Sequence, residues 1–356
     1  MAVREIDCNG PGITRRRAGK GFTYAEADGT RVTDEEVIAR IKSLAIPPAW
    51  EDVWICSDPN GHIQATGVDA KGRRQYRYHD EWRAARDREK FDRILEFAQR
   101  LPSMREQVAA DIALDGMPKD RVLACAARLL ELGFFRIGGE AYAEENDTYG
   151  LATLRKHHVR VRGDLLEFDY DAKSGQRRQC QVADPEVRAV ITTLRRRRSE
   201  PDAELLAYRD GREWVDIKSS DINAYVQRLV GERFSAKDFR TWVGTVLAAV
   251  GLATEEGGDS PTARKRAVAS VVKDVSAHLG NTPAVARSAY IDPRVVQLFE
   301  KDETVEDVLA DVDIDGVEDL ELGIPEEVEA AVLELIDRAR RSNRRARRSS
   351  ARRRAA

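Results

Sequence analysis

Short β-prone runs alternate with turns over the first 88 residues of the chain. Asp-Gly and Asn-Gly dipeptides between such runs are strong signals for β-hairpins. Three runs are each followed by a turn dipeptide: residues 22–24 by Asp28-Gly29, residues 53–56 by Asn60-Gly61, and residues 63–68 by Lys71-Gly72. One helix, predicted over residues 34–44, interrupts them and stops before Pro47-Pro48. The pattern predicts a small, mainly β domain over residues 1–88.

From Asp80 onward, apolar residues recur at spacings of three and four, which is the period of amphipathic helices. Three β-prone runs interrupt this pattern, at residues 156–161, 165–170 and 176–182. Helices resume near Pro185 and continue through the rest of the region. We therefore predict an α+β protein, in which a larger and mostly helical domain over residues 89–300 carries a three-stranded β insertion.

Capping residues mark the last helices of this domain. A side-chain oxygen at the N-cap accepts hydrogen bonds from the first backbone N–H groups, and glycine is favourable just after a helix ends. Three helices are predicted in this way: from Ser235 to Gly251, from Ser260 to Gly280, and a short one from Thr282 that carries Tyr290 and is limited by Pro293.

Charge is strongly segmented along the chain, which has 356 residues and a formal net charge of −3. Residues 300–337 carry sixteen acids and one lysine, whereas residues 338–354 carry ten arginines and no acid. The remainder has a net charge of +2, so a nucleic-acid partner is not excluded. We expect two domains followed by an appendage: an acidic segment over residues 301–337 and a disordered Arg-rich tail over residues 338–356. The tail either binds polyanions or folds back on the acidic block.

Signals for cofactors and membranes are missing from the sequence. The four cysteines (Cys8, Cys56, Cys125 and Cys180) are scattered without metal-ligand spacing, which is typical of reduced thiols in the cytosol. Motifs for catalytic zinc and for nucleotide-binding loops do not occur, so we expect no metal, nucleotide or other cofactor. No run approaches the roughly 20 apolar residues of a membrane span, and the N-terminus lacks the apolar core of a signal peptide. We expect a cytoplasmic, nucleoid-associated monomer.

Tyr290 is the residue that most suggests chemistry. It follows the turn Gly280-Asn281-Thr282-Pro283, and a phenol can attack a phosphodiester and hold a DNA end covalently. Reversible strand cleavage also needs fixed positive donors for the transition state and a proton source for the leaving 5′-oxygen. Arginine suits the first role because its planar fork contacts two phosphate oxygens. Lysine suits the second because neighbouring cations readily lower a lysine pKa.

Arg136, Lys173 and Arg240 are the candidate cations. Arg136 lies among aromatic and apolar residues, Lys173 lies in a predicted hairpin turn, and Arg240 lies near the start of a capped helix. Each position has a structural alternative. Arg136 could form a buried salt bridge, Lys173 could be an ordinary turn residue, and Arg240 could be a surface residue. Because the three are spread over the chain, their spacing alone does not decide between these interpretations.

Four motifs occur in order along the chain. They are Phe135-Arg136-Ile137-Gly138 followed by Tyr142, residues 146–154 before His157-His158-Val159, residues 237–242, and Leu279-Gly280-Asn281-Thr282-Pro283 leading to Tyr290. Over residues 20–300 the chain resembles the type IB DNA topoisomerases of the compact, poxvirus-like kind found in many bacteria. The resemblance implies an enzyme whose two domains clamp double-stranded DNA and relax its supercoils by transient cleavage and religation of one strand, without ATP or metal.

The same resemblance implies a role for each candidate residue. Tyr290 would be the nucleophile that forms a 3′-phosphotyrosyl bond, Arg136 and Arg240 would contact the nonbridging oxygens, and Lys173 would protonate the leaving 5′-hydroxyl. The family's fifth catalytic position, nine residues before the tyrosine, is often histidine, whereas this chain has Asn281. An amide can donate a hydrogen bond to a nonbridging oxygen but adds no charge, so we expect weaker stabilisation there.

Residues 69–79 interleave cations with a glutamine and two tyrosines, in a pattern that resembles the groove-facing strand of the family. The resemblance implies that Gln75, Tyr76 and Tyr78 lie near bases or sugars, with neighbouring cations on phosphates. It also implies DNA-binding positions at Gly138 and Tyr142. The alternative for the strand is an ordinary solvated edge.

Two other functions fit part of the pattern. A tyrosine recombinase or integrase uses the same nucleophile and arginines, but it usually has histidine three residues before the second arginine, where this chain has Lys237. Its N-terminal domain is also usually helical. A DNA-binding relative with weakened catalysis is the second alternative, which Asn281 permits.

Overall fold

A computed structural model describes the backbone of residues 3–200, 202–255, 260–314, 316–317, 320 and 323–355. Within these ranges, the side chains of Ala141, Tyr142, Ser174 and residues 342–355 are not described. The chain divides into two compact units, Met1–Asp92 and Arg93–Ala356. The division lies four residues beyond the boundary expected at residue 88, inside a helix that continues from one unit to the other.

Apart from the first part of the helix that it shares with the second unit, the first unit is a five-stranded antiparallel sheet with one helix. The strands are β1 (Ile13–Ala18), β2 (Gly21–Ala25), β3 (Glu51–Ile55), β4 (Ile63–Val68) and β5 (Arg74–Tyr78), in the spatial order β2-β1-β3-β4-β5. The helix α1 (Glu35–Ser43) begins after Asp34, whose Oδ1 accepts hydrogen bonds from Glu36 and Val37. The predicted strands and helix are therefore present, although the sequence pattern does not reveal the arginine-rich strand β1.

Helices dominate the second unit. In chain order they are α2 (Asp80–Ala98), α3 (Leu101–Ile112), α4 (Lys119–Glu131), α5 (Glu140–Asn146), α6 (Pro185–Arg196), α7 (Ser219–Val230), α8 (Ala236–Thr254), α9 (Pro261–Leu279), α10 (Pro283–Ala289), α11 (Pro293–Phe299), α12 (Glu306–Asp311) and α13 (Glu326–Ala355). Almost every residue of α8 is buried, and α4, α9, α11, α12 and α13 pack against it. Helix α8 is therefore the central element of the larger core.

Two antiparallel sheets lie between these helices. The predicted insertion is present as β6 (Val159–Arg162), β7 (Leu165–Ala172) and β8 (Gln176–Val182). Together with the β sheet of the first unit, it confirms the predicted α+β class. A hairpin of β9 (Ala207–Asp210) and β10 (Glu213–Asp216) turns at Gly211, within a region where the sequence pattern predicts only helices.

The end predicted for the helix from Ser235 is wrong by three residues. Helix α8 passes through Gly251 and ends at Thr254. A Cβ atom at position 251 would lie 2.9 Å from the Val271 side chain, so this glycine allows α9 to approach closely. Its role is helix packing rather than helix termination.

The acidic segment belongs to the core of the second unit and is not an appendage. The buried apolar residues that it contributes are Val305, Leu309, Ile314, Leu320, Val328, Val332, Leu335 and Ile336. Its Glu329 is also buried and accepts a 2.7 Å hydrogen bond from Trp242 Nε1 on α8. Arg105 pairs with Glu329 at 2.6 Å and with Glu131 at 2.8 Å. Glu329 therefore links α13 directly to α3 and α8, and through Arg105 to Glu131 of α4.

The Arg-rich segment also differs from the expectation of disorder, because α13 continues as a helix to Ala355. Arginine and alanine are good helix formers, and extending an existing helix costs far less than starting one. Among its described side chains, Arg340 and Arg341 pair with Asp337 of the same helix. In the described part of the chain, no helix is both long and apolar enough to cross a membrane.

Replacing Glu329 with alanine should destabilise the second unit. The substitution leaves the buried indole N–H of Trp242 without its acceptor and removes one partner of Arg105, and a buried donor left unpaired costs about 1–3 kcal/mol. Urea unfolding of the full chain would measure the loss. Glu327→Ala, at an exposed acid of the same helix, should change the free energy of unfolding by less than about 0.5 kcal/mol. Equal effects of the two variants would contradict the proposed anchor.

Candidate functional site

The end of α9 determines where Tyr290 lies. Gly280 adopts the left-handed conformation (φ 61°) that ends many helices, and Asn281 N–H donates to the Ser276 carbonyl at 2.8 Å. The chain then turns at Thr282, whose hydroxyl accepts a hydrogen bond from Val285 N–H at the start of α10. Tyr290 follows the last residue of this short helix. The caps predicted for α9 and α10 are therefore both present.

Three arginines from different parts of the fold converge on the end of α9. They donate hydrogen bonds to four consecutive backbone carbonyls: Arg178 to Ala277 and His278, Arg240 to Leu279 at 2.5 Å, and Arg136 to Gly280 at 2.5 Å. The last carbonyls of a helix lack partners within the helix and carry its partial negative charge. This carbonyl cluster, residues 277–280, is therefore a natural anchor for guanidinium groups.

Arg240 is the most deeply buried of the three. Its side chain is on α8, where the residue is only 3% exposed, and it also donates to the Gly133 carbonyl at 2.6 Å. This burial contradicts the surface interpretation. Its Nε is buried without a hydrogen-bond partner among the described residues, and its Cζ lies 5.3 Å from the centre of the Tyr290 ring. Burial, followed by the charge of Arg136, lowers the pKa of Arg240, but a guanidinium stays protonated near neutral pH.

The helix that carries Arg240 also supports the backbone of Tyr290. A Cβ atom at Gly244, one turn after Arg240, would lie 3.0 Å from the Tyr290 carbonyl oxygen and 3.2 Å from its Cβ. The hydroxyl of Thr245 donates to the same carbonyl at 3.2 Å and accepts from Asp292 N–H at 3.2 Å. The absence of a side chain at Gly244 therefore allows Tyr290 to approach Arg240.

Backbone contacts fix the loop that carries Arg136. Its carbonyl accepts a 2.8 Å hydrogen bond from Leu151 N–H, and the glycines at positions 138 and 150 touch through their backbones. A Cβ atom at Gly150 would lie only 2.4 Å from the Gly138 Cα, so side chains at these positions would push the two segments apart. Gly138, a predicted DNA-binding position, therefore also helps to hold Arg136 in place.

Asn281 contacts Arg136 directly. Its Oδ1 accepts a 2.8 Å hydrogen bond from the guanidinium, while its Nδ2 lies 3.5 Å from the Leu279 carbonyl. The amide oxygen thus orients Arg136 in this structure. The amide nitrogen is the group that could donate to an added ligand, as the sequence predicts.

Lys173 shares a pocket with Arg136. It lies in the tight turn between β7 and β8 and is exposed. The pocket has a volume of about 210 Å³ and is lined by Arg136, Gly138, Gly139, Thr148, Tyr149, Gly150 and Lys173. Arg136 contacts Asn281, and Arg240 contacts Tyr290. The two arginines bind the adjacent carbonyls of Gly280 and Leu279, and Lys173 shares the pocket of Arg136. The arrangement can bind a phosphate beside a phenol, with a lysine ammonium close by.

Arg178 is the cation that the sequence interpretation missed. It is on β8, five residues beyond Lys173, where Arg178, Cys180 and Val182 point to the same, partly buried face. Alternation of apolar residues at 180 and 182 could have indicated that Arg178, rather than Arg177, faces inward.

His278 packs beside this cluster. Its ring stacks on Phe134 with centroids 4.4 Å apart, and its Nε2 lies 3.1 Å from the Leu132 carbonyl. Burial lowers the pKa of His278 from 6.5 to about 4, and the hydrogen bond to Leu132 opposes this only in part. The neutral form is therefore the one that packs here at neutral pH.

The predicted DNA-facing strand is β5 in the first unit. Tyr76 and Tyr78 are exposed on one face, with their rings stacked at 6.0 Å, and the Arg74 guanidinium lies over Tyr76. Gln75 points to the opposite face, where its Nε2 donates to Asp69 at 2.9 Å. The three residues therefore do not share one surface. The side chain of Tyr142 lies outside the described residues.

Within the described part of the chain, no group of three or more His, Cys, Asp or Glu side chains could hold a metal ion. The four cysteines are all free thiols.

Comparison with known proteins gives two family matches and several relatives. Residues 79–313 match the catalytic core of eukaryotic DNA topoisomerase I, and residues 21–69 match the N-terminal domain of bacterial DNA topoisomerase IB. A protein of Acanthamoeba polyphaga mimivirus named DNA topoisomerase 1B is 31% identical, over 81% of this chain and 88% of its own length. The DNA topoisomerase 1B of vaccinia virus (strain Copenhagen) and the DNA topoisomerase I of monkeypox virus are each 24% identical, over 70% of this chain and 76% of their own.

The burial of His278 predicts a pH dependence of stability. Because its pKa is lower in the folded chain than the ordinary 6.5, the unfolded chain binds a proton that the folded chain does not. Stability should therefore fall as the pH drops from about 6.5 toward 4. In His278→Gln, which does not titrate, this loss should be smaller by roughly 1–3 kcal/mol. Urea unfolding at pH 7 and pH 4.5 would test this, with His157→Gln at an exposed histidine as the control. The same loss in His278→Gln as in the unaltered chain would contradict the assignment.

Proposed function

Because the chain belongs to the type IB DNA topoisomerases, we propose that it relaxes supercoiled duplex DNA by cutting and resealing one strand. Tyr290 is the nucleophile in this proposal. The observation that carries it is the contact of Tyr290 with Arg240, which is itself anchored with Arg136 and Arg178 on the carbonyl cluster. Guanidinium groups that keep their charge and present two donors in a plane suit the binding of phosphate oxygens.

Cleavage in this proposal begins when the phenol of Tyr290 loses its proton to solvent water and its oxygen attacks the phosphorus. A bond forms between that oxygen and phosphorus, and the bond from phosphorus to the 5′-oxygen breaks, which leaves a 3′-phosphotyrosyl link. Extra negative charge develops on the nonbridging oxygens in the transition state. Arg240 and Arg136 stabilise that charge, and the buried Nε of Arg240 is a donor without a partner among the described residues.

The leaving 5′-oxygen needs a proton, which Lys173 supplies from its ammonium group. Its place in one pocket with Arg136 supports this assignment, because both would contact the same phosphate. Religation is the reverse: the 5′-hydroxyl attacks the phosphotyrosine and returns its proton to Lys173. The covalent link conserves the energy of the phosphodiester, so the proposed cycle needs neither ATP nor a metal ion.

Between cleavage and religation the free 5′ end rotates and supercoils are released. We assign DNA contacts to the exposed stack of Tyr76 and Tyr78 and to the Arg-rich end of α13. Contacts to phosphate release counterions, so binding should weaken steeply as salt rises. The five-stranded sheet of the first unit also supports a topoisomerase over a recombinase, whose N-terminal domain is usually helical.

Tyr290→Phe should abolish relaxation of supercoiled plasmid and the covalent 3′ adduct, while DNA binding stays near normal. The substitution removes the attacking oxygen and keeps the ring beside Arg240. The assay contains EDTA and no ATP, which tests the cofactor proposal at the same time. Tyr208→Phe, at a half-buried tyrosine of β9, controls for loss of a hydroxyl elsewhere.

A Tyr290→Phe protein with full activity would overturn the assignment. If the unaltered protein binds plasmid but never relaxes it, it is a DNA-binding relative without catalysis. Strand exchange between paired recognition sites would favour a recombinase.

Asn281→Ala should slow cleavage by about 10- to 100-fold. The substitution removes the amide oxygen that accepts a hydrogen bond from the charged guanidinium of Arg136 and helps to orient it. The amide nitrogen, which in this proposal donates to a nonbridging oxygen, is lost as well. Single-turnover cleavage of a labelled duplex would measure the rate, with duplex affinity measured in parallel. An unchanged cleavage rate would show that Asn281 has no role in the reaction.

A further inference from the structure

Arg178 connects two parts of the site that otherwise belong to separate elements. It lies on β8, in the hairpin whose tip carries Lys173. Its guanidinium donates to the Ala277 carbonyl at 2.8 Å and to the His278 carbonyl, both at the end of α9. Asn281 and the short helix that leads to Tyr290 follow directly. One side chain thus joins the hairpin of the lysine to the element that leads to the tyrosine.

The surroundings of Arg178 are unusual for a structural arginine. Among the described residues no carboxylate pairs with it, and its Nε is buried without a hydrogen-bond partner. Its Cζ lies 5.8 Å from the Phe134 ring, on the same side of the site as the stacked His278. Burial lowers the pKa of Arg178, the charge of Arg136 lowers it further, and ionised Cys180 or Tyr170 would oppose this. Two backbone carbonyls hold the Arg178 guanidinium, although the nearby charge of Arg136 repels it.

The neighbouring Arg177 shows the contrast. It is exposed on the opposite face of β8, and it pairs with Asp169 of the adjacent strand at 2.7 Å. That ion pair lies within the hairpin itself and does not reach α9. The two adjacent arginines therefore offer a matched comparison, in which only one links the hairpin to the tyrosine-bearing element.

We propose that Arg178 is a positioning residue for Lys173: by tying β8 to the end of α9, it sets the distance from the lysine ammonium to the phosphate that Tyr290 attacks. The proposal rests on the function proposed above. It requires that loss of Arg178 impair proton delivery to the leaving oxygen more than it impairs attack by the phenol. A displacement of about 1 Å can slow a reaction by about 100-fold.

A substrate whose scissile 5′-oxygen is replaced by sulfur separates these steps. A thiolate leaves readily without a proton, so the sulfur substrate does not need the lysine. Single-turnover cleavage of the oxygen and sulfur duplexes would be measured for the unaltered chain, Arg178→Gln, Arg178→Lys, Arg177→Gln and Lys173→Ala. Thermal unfolding of each variant would establish that it is folded.

On the oxygen substrate we expect Arg178→Gln to be slowed by about 100-fold, with the sulfur substrate cleaved at close to the unaltered rate. Lys173→Ala should show the same pattern, and Arg177→Gln should match the unaltered chain on both substrates. Arg178→Lys keeps the charge but replaces the planar fork, whose two nitrogens each contact one carbonyl, with a single ammonium on a flexible stem, so it should be slowed on oxygen alone. Because this variant is the milder change, it serves if Arg178→Gln does not fold.

Equal slowing of the Arg178 variants on both substrates would overturn the proposal, because Arg178 would then act on the phosphate or on Tyr290. Unchanged rates on both would overturn it too. If the sulfur substrate restores the cleavage rate of Arg178→Gln but not that of Lys173→Ala, Lys173 is not the proton donor. The proposal for Arg178 then fails together with that assignment. If the unaltered chain forms no adduct at all, the proposed function itself is wrong.

Discussion

The contact between three guanidinium groups and the last carbonyls of α9 is the interaction on which the site depends. Three cations this close repel one another, and carboxylates would be the usual remedy. Carboxylates would also cancel the charge that a phosphate needs to meet. Carbonyl dipoles at a helix end hold the guanidinium groups in place and leave their net charge intact, and the described residues give none of the three a carboxylate partner.

The same geometry explains why the surrounding fold is so tightly constrained. Arg240 reaches α9 from α8, so the spacing of these two helices fixes the site, and Gly244 and Gly251 are the residues that let α9 and Tyr290 approach α8. On another side, Trp242 of α8 is held by Glu329 of α13. Buried hydrogen bonds to charged groups are stronger than neutral ones. The bond from Trp242 to Glu329 therefore helps to keep α8, the helix that carries Arg240, in position.

Local signals in the sequence predict local structure well. The turns, the helix caps at Ser260 and Thr282, and the β insertion follow from residue type and spacing, because capping and hairpin chemistry act over a few residues. Resemblance to a family, and not spacing, indicated that one site contains Arg136, Lys173, Arg240, Asn281 and Tyr290. The structure brings the five together.

What the sequence could not predict are long-range effects. Alternation along β8 indicates that Arg178 faces inward, but its contact with the end of α9 links residues about a hundred positions apart. The buried state of Arg240 likewise depends on helices distant in the chain. The sixteen acids of residues 300–337 suggest an appendage outside the core. The apolar residues of this segment are nevertheless spaced to face α8, and Arg105 pairs with Glu329, the acid of this segment that is buried among the described residues.

Helix α13 lies beyond the region that matches the family model, yet it is part of the folded core of the second unit. The match to the catalytic core ends at residue 313, yet Val328, Val332 and Ile336 are fully buried beyond it. A fragment cut at the family boundary would expose an apolar groove and an indole N–H where α13 now lies. Such a fragment would tend to self-associate, so anyone preparing a minimal catalytic piece of this chain has to extend it at least to Asp337.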